Sequence, residues 1–210
     1  MSQQKKDREQ TRQRIVDAVG RVLAEGGFKK LGVNRIAREA GVDKVLIYRY
    51  FGGLPELVTE YGRSFEYWPQ PEEMVPMSEE FEKGNAHESL RIFFRNYVRA
   101  IRKRPMTLEI MAWEMTVHDD MAARLEDVRM RTVLECFERM ELAGADTCDL
   151  TTGILVLFAA VNSLLVKSRN TGTVGGLDLH EDGAWDRIDA MISVMAQGLF
   201  RCMPDNQEVA

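Results

Sequence analysis

The stretch LGVNRIAREAGVDKVLIYRYFGGLPEL, from Leu31 to Leu57, decides the fold of this chain. It predicts two short helices joined by a tight turn at Gly41 and Val42. Asp43 is suited to cap the second helix, because its side-chain oxygen can accept a free backbone N–H. Two helices joined so closely form a helix-turn-helix, whose second helix enters the DNA major groove. Apolar residues recur at helical spacing in both: Ile36, Ala37 and Ala40 in the first, and Val45, Ile47, Tyr48 and Phe51 in the second.

A longer pattern extends this signal over about the first 60 residues. Its spaced positions are Thr11, Ile15, Ala18, Leu23, Gly27-Phe28, Val33, Ile36-Ala37, Ala40-Gly41-Val42, Ile47-Tyr48, Tyr50-Phe51 and Leu57. The pattern closely resembles the N-terminal domain of TetR-family transcriptional repressors. The resemblance implies an all-α fold and a homodimer. A three-helix N-terminal domain carrying the helix-turn-helix would be followed by a C-terminal helical domain for ligand binding and dimerisation.

Three places depart from the family pattern. Leu31-Gly32 stands where a Thr or Ser usually caps the first helix of the motif, and Gly offers no side-chain acceptor. Leu46 occupies a position that is often a small polar residue touching phosphate. Gly52-Gly53-Leu54 replaces a common turn ending in Lys, so one expected phosphate contact is missing. The departures concern how the domain is anchored to the DNA backbone.

The distribution of charge supports a nucleic-acid partner for the N-terminal part of the chain. The formal net charge of the whole chain is −5. Residues 1–54 hold 12 Lys and Arg against 6 Asp and Glu, whereas residues 55–210 hold 16 against 27. A basic N-terminal module attracts phosphates, and the acidic remainder discourages nonspecific wrapping along DNA.

The sequence predicts a cytoplasmic protein with no membrane partner. The first residues, MSQQKKDREQ, lack the apolar core of a signal peptide. The longest apolar run, Ile154 to Val166, holds 13 residues and falls short of the roughly 20 that span a bilayer. The cysteines at 136, 148 and 202 show no metal-ligand or CxxC spacing, which predicts reduced, packed thiols and no metal site.

Helical patterns divide the chain into two domains. Residues 8–68 are predicted to form the DNA-binding domain, with a helix that opens at Pro55 and runs to about Trp68. Residues 69–84 are predicted to be a linker, because prolines at 69, 71 and 76 stop a helix there. Residues 85–203 are predicted to form the C-terminal effector-binding and dimerisation domain. Its last two helices, at 147–169 and 185–201, flank a Gly-rich loop and are expected to build a four-helix dimer interface.

Candidate DNA-binding residues lie mainly at the start of the second motif helix, where base readout takes place. Lys44 is suited to donate to guanine O6 or N7, and Val45 to touch a thymine methyl. Asp43 either meets the DNA or only caps the helix. The resemblance implies contacts by Tyr48 to a base or phosphate, by Tyr50 to a phosphate, and by Asn34 to a base or the backbone. The full predicted set is Val33, Asn34, Asp43, Lys44, Val45, Leu46, Tyr48, Arg49 and Tyr50. The residues expected to be largely core are Val33, Ile36, Ala37, Ile47 and Phe51.

The resemblance also implies an effector pocket inside the C-terminal helices. Met and aromatic side chains adapt to varied hydrophobic ligands, although the same residues at helical spacing are commonly plain core. Two polar groups, His118 and Asn162, are candidates to face a ligand. The predicted effector-binding set is Phe93, Phe94, Tyr97, Met111, Trp113, Met115, His118, Phe137, Met140 and Asn162.

The sequence therefore predicts a DNA-binding transcriptional regulator that binds an inverted-repeat operator as a homodimer and is released by a small hydrophobic effector. Catalysis is not expected, because the three histidines are dispersed and no nucleophile-elbow, metal or phosphate-loop spacing is present. No cofactor is expected either. The alternative is a DNA-bound interaction protein whose C-terminal domain binds another protein instead of a small molecule. An exposed apolar patch would favour that alternative, and a closed internal cavity would favour the effector.

Overall fold

A computed structural model describes residues 2–76, 85–116, 119–141, 148–169 and 172–201. The chain is helical almost throughout these residues, as predicted. It forms two compact units, the first from residues 1–68 and 104–131 and the second from residues 69–103 and 132–210. The helices are α1 (Ser2–Gly26), α2 (Val33–Ala40), α3 (Val45–Phe51), α4 (Leu54–Gly62), α5 (Pro71–Met74), α6 (Ala86–Arg102), α7 (Pro105–Glu114), α8 (Asp120–Arg139), α9 (Cys148–Ser168) and α10 (Asp182–Arg201).

The predicted helix-turn-helix is present as α2 and α3. Gly41 ends α2 in the left-handed conformation, with φ 64° and ψ 41°, which glycine adopts without the steric cost that a Cβ brings. The backbone N–H of Val45 donates to Oδ1 of Asp43 at 2.8 Å, so the predicted capping role of Asp43 is confirmed. Ile36 and Ile47 are fully buried beneath the two helices.

Helix α1 supports this motif and is longer than the apolar pattern alone indicates. Its basic N-terminal arm is itself helical and leads into the buried face around Ile15 and Leu23. Gly20 lets α7 and α4 approach α1, because a Cβ there would lie 2.6 Å from Sδ of Met106 and from the hydroxyl oxygen of Tyr61. The first unit is therefore α1 packed against α2, α4 and α7.

A buried polar group explains why residues 104–131 pack with the N-terminal helices. Arg129, on α8, donates to Oε1 of Glu114 at 2.6 Å and also to the hydroxyl of Tyr67. The hydroxyl of Thr107 donates to the backbone carbonyl of Tyr67. Burial raises the pKa of Glu114 above its ordinary value, and the opposing effect of Arg129 does not cancel it. Segments distant in sequence are thereby held together in the first unit.

The second unit is built around α6. Asn85 caps this helix by accepting a hydrogen bond from the backbone N–H of Glu88 at 3.1 Å, as its spacing predicts. One face of α6 is buried, including Leu90, Phe93 and Ile101. Helices α5, α9 and α10 pack against α6, and α9 also packs against α10.

The helices around the predicted linker differ from the prediction at two places. Helix α4 ends at Gly62 instead of reaching Trp68, consistent with the low helix propensity of glycine. The predicted linker begins with a one-turn helix, α5, because Pro71 occupies the first helical position, where its missing N–H costs nothing. Gln70 and Glu73 form a capping box around it. Residues 77–84 of the predicted linker lie outside the described residues.

The Gly-rich loop before the last helix contains a short hairpin that the sequence pattern did not predict. Strands β1 (Thr173–Val174) and β2 (Leu177–Asp178) pair antiparallel. Gly175 and Gly176 connect them with φ of 56° and 82°, the positive angles that a tight two-residue turn requires. Helix α10 then begins at Asp182, one turn before the predicted start at Trp185.

Candidate nucleic-acid interface and ligand site

Helix α3 presents a polar and aromatic face to solvent. Val45 is 60 % exposed and Tyr48 is 53 % exposed, whereas Ile47 between them is fully buried. Lys44 precedes the helix and Arg49 lies near its end, and both side chains are exposed. Because two of these exposed residues are apolar or aromatic and two are cationic, the face combines groups that touch bases with groups that pair with phosphates.

Two cations of this face lack an acidic partner, unlike several other basic side chains of the first unit. Arg12 pairs with Glu60 at 2.7 Å, Arg21 with Glu39 at 2.9 Å, and Arg35 with Glu25. Within the described part of the chain, Lys44 and Arg49 have no carboxylate partner. Their charges are therefore available to an anionic partner.

All nine predicted DNA-binding residues belong to one short segment of the first unit, residues 33–50. Asn34, Asp43, Lys44, Val45, Tyr48 and Arg49 are exposed. Val33, Leu46 and Tyr50 are half-buried. Of the five residues expected to be core, Ile36, Ala37 and Ile47 are buried, whereas Val33 and Phe51 are only half-buried. Their roles at DNA stay predictions.

Two arginines of the α1 arm extend this surface, and they are absent from the set predicted from the sequence. The guanidinium carbon of Arg8 lies 5.4 Å from the ring centroid of Tyr50. That of Arg12 lies 5.0 Å from the ring centroid of Phe51. The two arginines are four residues apart and thus share one face of a helix, which is the signal that was available in the sequence.

In the second unit, four of the predicted effector residues surround an aromatic cluster. Phe93, Phe94, Tyr97 and Phe137 all meet Phe158 of α9, at centroid distances between 4.9 and 6.5 Å. Phe158 was not in the predicted set, because α9 is apolar on nearly every face and its pattern does not distinguish one aromatic residue from the rest.

The predicted polar group of this cluster already has a partner. The hydroxyl of Tyr97 donates to Oδ1 of Asn162 at 2.6 Å. Tyr97 is fully buried, so the hydrogen bond satisfies a hydroxyl that solvent does not reach. A ligand group that donates to this site of Oδ1 would compete with Tyr97 for it.

The remaining predicted effector residues are not gathered at this cluster. Met111, Trp113 and Met115 belong to the first unit, where Met111 is buried and the other two are exposed. Trp113 packs against Gly27. Met140 is buried in the second unit. His118 lies outside the described residues.

A cavity of about 510 Å³ opens between α6 and α10 in the second unit. Its apolar wall includes Phe94, Trp185 and Ile192, and arginines of α6 face aspartates of α10 across it. Arg102 forms an ion pair with Asp182 at 2.9 Å at one side. Phe94 belongs both to the cavity wall and to the aromatic cluster, so the two are adjacent.

Helices α9 and α10 expose a second, apolar surface. Within the window Leu150–Ser168 only 28 % is buried, and this helix is long and apolar enough, by length and composition alone, to cross a membrane. The core helix of a soluble protein passes the same test, so the finding is weak evidence for a membrane. The exposed side chains, which we call the apolar face, are Leu155, Val156, Met191, Val194 and Met195.

Comparison with known proteins finds a family model that matches the motif and solved structures with a similar fold. Residues 15–61 match the family model described as "Bacterial regulatory proteins, tetR family". None of the curated proteins matches the chain.

Among solved structures, the fold is similar to that of NalD from Pseudomonas aeruginosa, the secondary repressor of the MexAB-OprM multidrug efflux pump. The identity is 17 %, the TM-score is 0.63, and the match covers 96 % of this chain and 99 % of NalD. It is also similar to the fatty acid degradation regulator FadR from Bacillus halodurans, with 16 % identity, a TM-score of 0.59, and coverage of 91 % and 99 %. The regulator FadR from Bacillus subtilis, solved with stearoyl-CoA, has 16 % identity, a TM-score of 0.57 and the same coverage. Residues 15–61 thus match the TetR family model, and the chain as a whole has a TetR-like fold.

Proposed function

We propose that this protein is a cytoplasmic transcriptional repressor that binds an inverted-repeat DNA operator as a homodimer. The observation that carries the proposal is the exposed face of α3. Lys44 and Arg49 lack carboxylate partners in the described residues, Val45 and Tyr48 are exposed, and buried Ile47 fixes the helix beneath them. The predicted readout set of residues 33–50 includes this face. In it Lys44 and Val45 meet bases, Tyr48 meets a base or phosphate, and Tyr50 meets a phosphate.

The apolar face of α9 and α10 is proposed to bind the same face of a second copy. Exposed apolar patches on a water-soluble protein mark interaction surfaces, and a patch used by two identical chains gives a symmetric interface. Twofold symmetry then presents two copies of α3 to half-sites one helical turn apart, or a multiple of it. This supports an inverted repeat as the operator.

A small hydrophobic effector is proposed to bind in the second unit, between the cavity and the aromatic cluster. Phe94 belongs to both the cavity wall and the aromatic cluster. Asn162, which now accepts a hydrogen bond from Tyr97, is the polar group proposed to bind the ligand. The FadR solved with stearoyl-CoA is a protein of this fold whose ligand carries a long apolar acyl chain, which supports an effector with a hydrophobic part here. An effector that stabilises a dimer conformation in which the two α3 helices do not fit both half-sites would release the DNA. A coupling free energy of about 1–3 kcal/mol between effector binding and DNA binding is enough for regulation.

Selection of bound fragments from random duplex DNA tests the proposal. We expect an inverted repeat to be enriched, with binding that falls steeply as salt rises. Thermal-shift screening of hydrophobic compounds follows, and a compound that stabilises the protein must also weaken operator binding. Enrichment of no sequence would reject the DNA-binding role. A compound that saturates the protein but leaves operator affinity unchanged would reject its role as an effector.

The alternative, a DNA-bound protein that holds another protein, is favoured by a separate observation. Leu134 of α8, in the predicted C-terminal domain, is an exposed apolar residue that lies outside the apolar face. If it binds a partner protein, Leu134→Ser will weaken capture of that protein on operator DNA and leave the response to hydrophobic compounds unchanged.

A further inference from the structure

Tyr50 lies beside two guanidinium groups that come from different helices. Arg8 of the α1 arm is 5.4 Å from its ring centroid, and Arg49 of α3 is 5.2 Å from it. A cation at this distance from an aromatic ring is attracted to the negative face of the ring. Tyr50 therefore holds two like charges near one point of the surface.

No acidic group in the described part of the chain neutralises these charges. Neither Arg8 nor Arg49 forms an ion pair there, although Arg12, one turn further along α1, pairs with Glu60 at 2.7 Å. Arg8 and Arg49 are exposed. Two unpaired guanidinium groups on one ring repel each other, and an anion that binds both would relieve that repulsion.

The hydroxyl of Tyr50 adds a third donor to this group. Arg49 donates to the hydroxyl oxygen at 3.3 Å, which leaves the hydroxyl proton free to be donated. In the residues that the structure describes, no acceptor for this proton is present. Guanidinium and hydroxyl donors without an acceptor are the groups with which proteins bind phosphate oxygens.

We propose that Arg8, Arg49 and Tyr50 bind one backbone phosphate in each half-site, so that the N-terminal arm of α1 is part of the DNA interface. The inference rests on the proposed function and extends it from residues 33–50 to the arm. Lys5 lies on the same helical face as Arg8, one turn nearer the N-terminus, and continues the basic track. Arg12 has a different role: its contacts with Glu60 and Phe51 fix the arm against the first unit.

The test is a salt titration of operator binding by the full chain, with fluorescence anisotropy on the selected duplex. Arg8→Ala removes the arm's contribution, and Arg14→Ala is the matched control. Arg14 carries the same charge on α1, is exposed, and lies on a different helical face. Circular dichroism confirms that both variants fold.

We expect Arg8→Ala to weaken binding about tenfold or more at low salt while the enriched sequence stays the same. Arg8 contributes one cation contact in each half-site. The steepness of log K against log salt concentration should therefore fall by up to roughly 0.9 for each half-site of the dimer. Arg14→Ala should change the slope much less. Equal effects of the two substitutions, or an altered sequence preference with Arg8→Ala, would overturn the proposal.

A neutral methylphosphonate placed at single positions of the operator identifies the phosphate. One position in each half-site should weaken binding of the natural protein more than binding of Arg8→Ala, because the variant keeps only Arg49 and Tyr50 at that phosphate. Tyr50→Phe should also lose less than the natural protein at the same position. If Arg8→Ala loses as much affinity as the natural protein at every position, Arg8 does not contact a backbone phosphate. If the unsubstituted protein binds no duplex, the proposed function and this inference are both rejected. If it binds DNA but Arg8→Ala does not change the binding, this inference alone is rejected.

Discussion

The polar face of α3 and the apolar face of α9 and α10 are both exposed, but their chemistry is opposite. The first carries unpaired cations and aromatic edges above a small buried core. The second carries Leu, Val and Met side chains, whose exposure to water is unfavourable in free energy. One chain therefore presents one surface suited to a polyanion and another suited to an apolar partner. The difference supports the proposal that DNA reading and chain assembly use separate surfaces, which substitutions can remove one at a time.

The largest expected effect comes from placing charge on the apolar face. Val156 and Val194 are 63 % and 61 % exposed, and Val156→Asp with Val194→Asp would bury unpaired carboxylates in a symmetric interface. We expect dimer dissociation to be favoured by at least about 3 kcal/mol, measured by sedimentation equilibrium, with loss of operator binding. Leu134→Asp on α8, where Leu134 is also exposed, is the control and should leave the dimer intact. A double variant that remains dimeric would break the assignment of this face to assembly.

Lys44→Ala tests the polar face of α3, where a substitution should affect DNA binding and not the dimer. It should weaken operator binding by about 1–3 kcal/mol if Lys44 reads a base, and the sedimentation behaviour should not change. Arg38→Ala removes an exposed cation from the end of α2 and is the control. A gel-shift series separates the two roles of Lys44, because equal weakening on every sequence would identify a phosphate contact instead of readout.

The interior next to the apolar face is tested at Asn162. Asn162→Ala leaves the buried hydroxyl of Tyr97 without its 2.6 Å partner, and we expect the second unit to lose about 1–2 kcal/mol of stability. Adding Tyr97→Phe removes the hydroxyl that loses this hydrogen bond and should recover part of that loss. Chemical denaturation measures both variants. If the double variant is as unstable as the single one, the hydrogen bond does not account for the effect.

The smallest effect is expected from the turn at Gly41, which precedes α3. Gly41 has φ 64°, and a Cβ at this position would meet no atom within 4 Å, so the cost of Gly41→Ala is conformational alone, about 1 kcal/mol. At Gly183, in the first turn of α10, φ is not positive and an added Cβ would have no atom within 4 Å. Gly183→Ala should therefore not destabilise the protein. Thermal unfolding compares the two. Equal melting temperatures would show that the turn tolerates a side chain.

The sequence predicted those parts of the fold that depend on neighbouring residues. Gly41 and Asp43 mark the turn and the cap of the motif, and the buried positions of α2 and α6 follow helical periodicity. The boundaries that failed also have local causes: Gly62 shortens α4, and Gln70 with Pro71 starts α5.

The features that the sequence did not predict join residues far apart in the chain. Arg129 and Tyr67 are 62 positions apart, and Arg8 and Tyr50 come from separate helices. No spacing rule connects such pairs, because packing alone brings them together. The aromatic cluster shows the same limit: its members were predicted from composition, but the place of Phe158 among them required the packing of α9.

The central claim is that paired chains present two α3 helices to one duplex. Native mass spectrometry of the protein with the selected duplex, and with a duplex holding only one half-site, tests it directly. The account predicts an even number of chains on the full site and much weaker binding to the half-site. A single chain on the duplex, with equal affinity for the half-site, would contradict it.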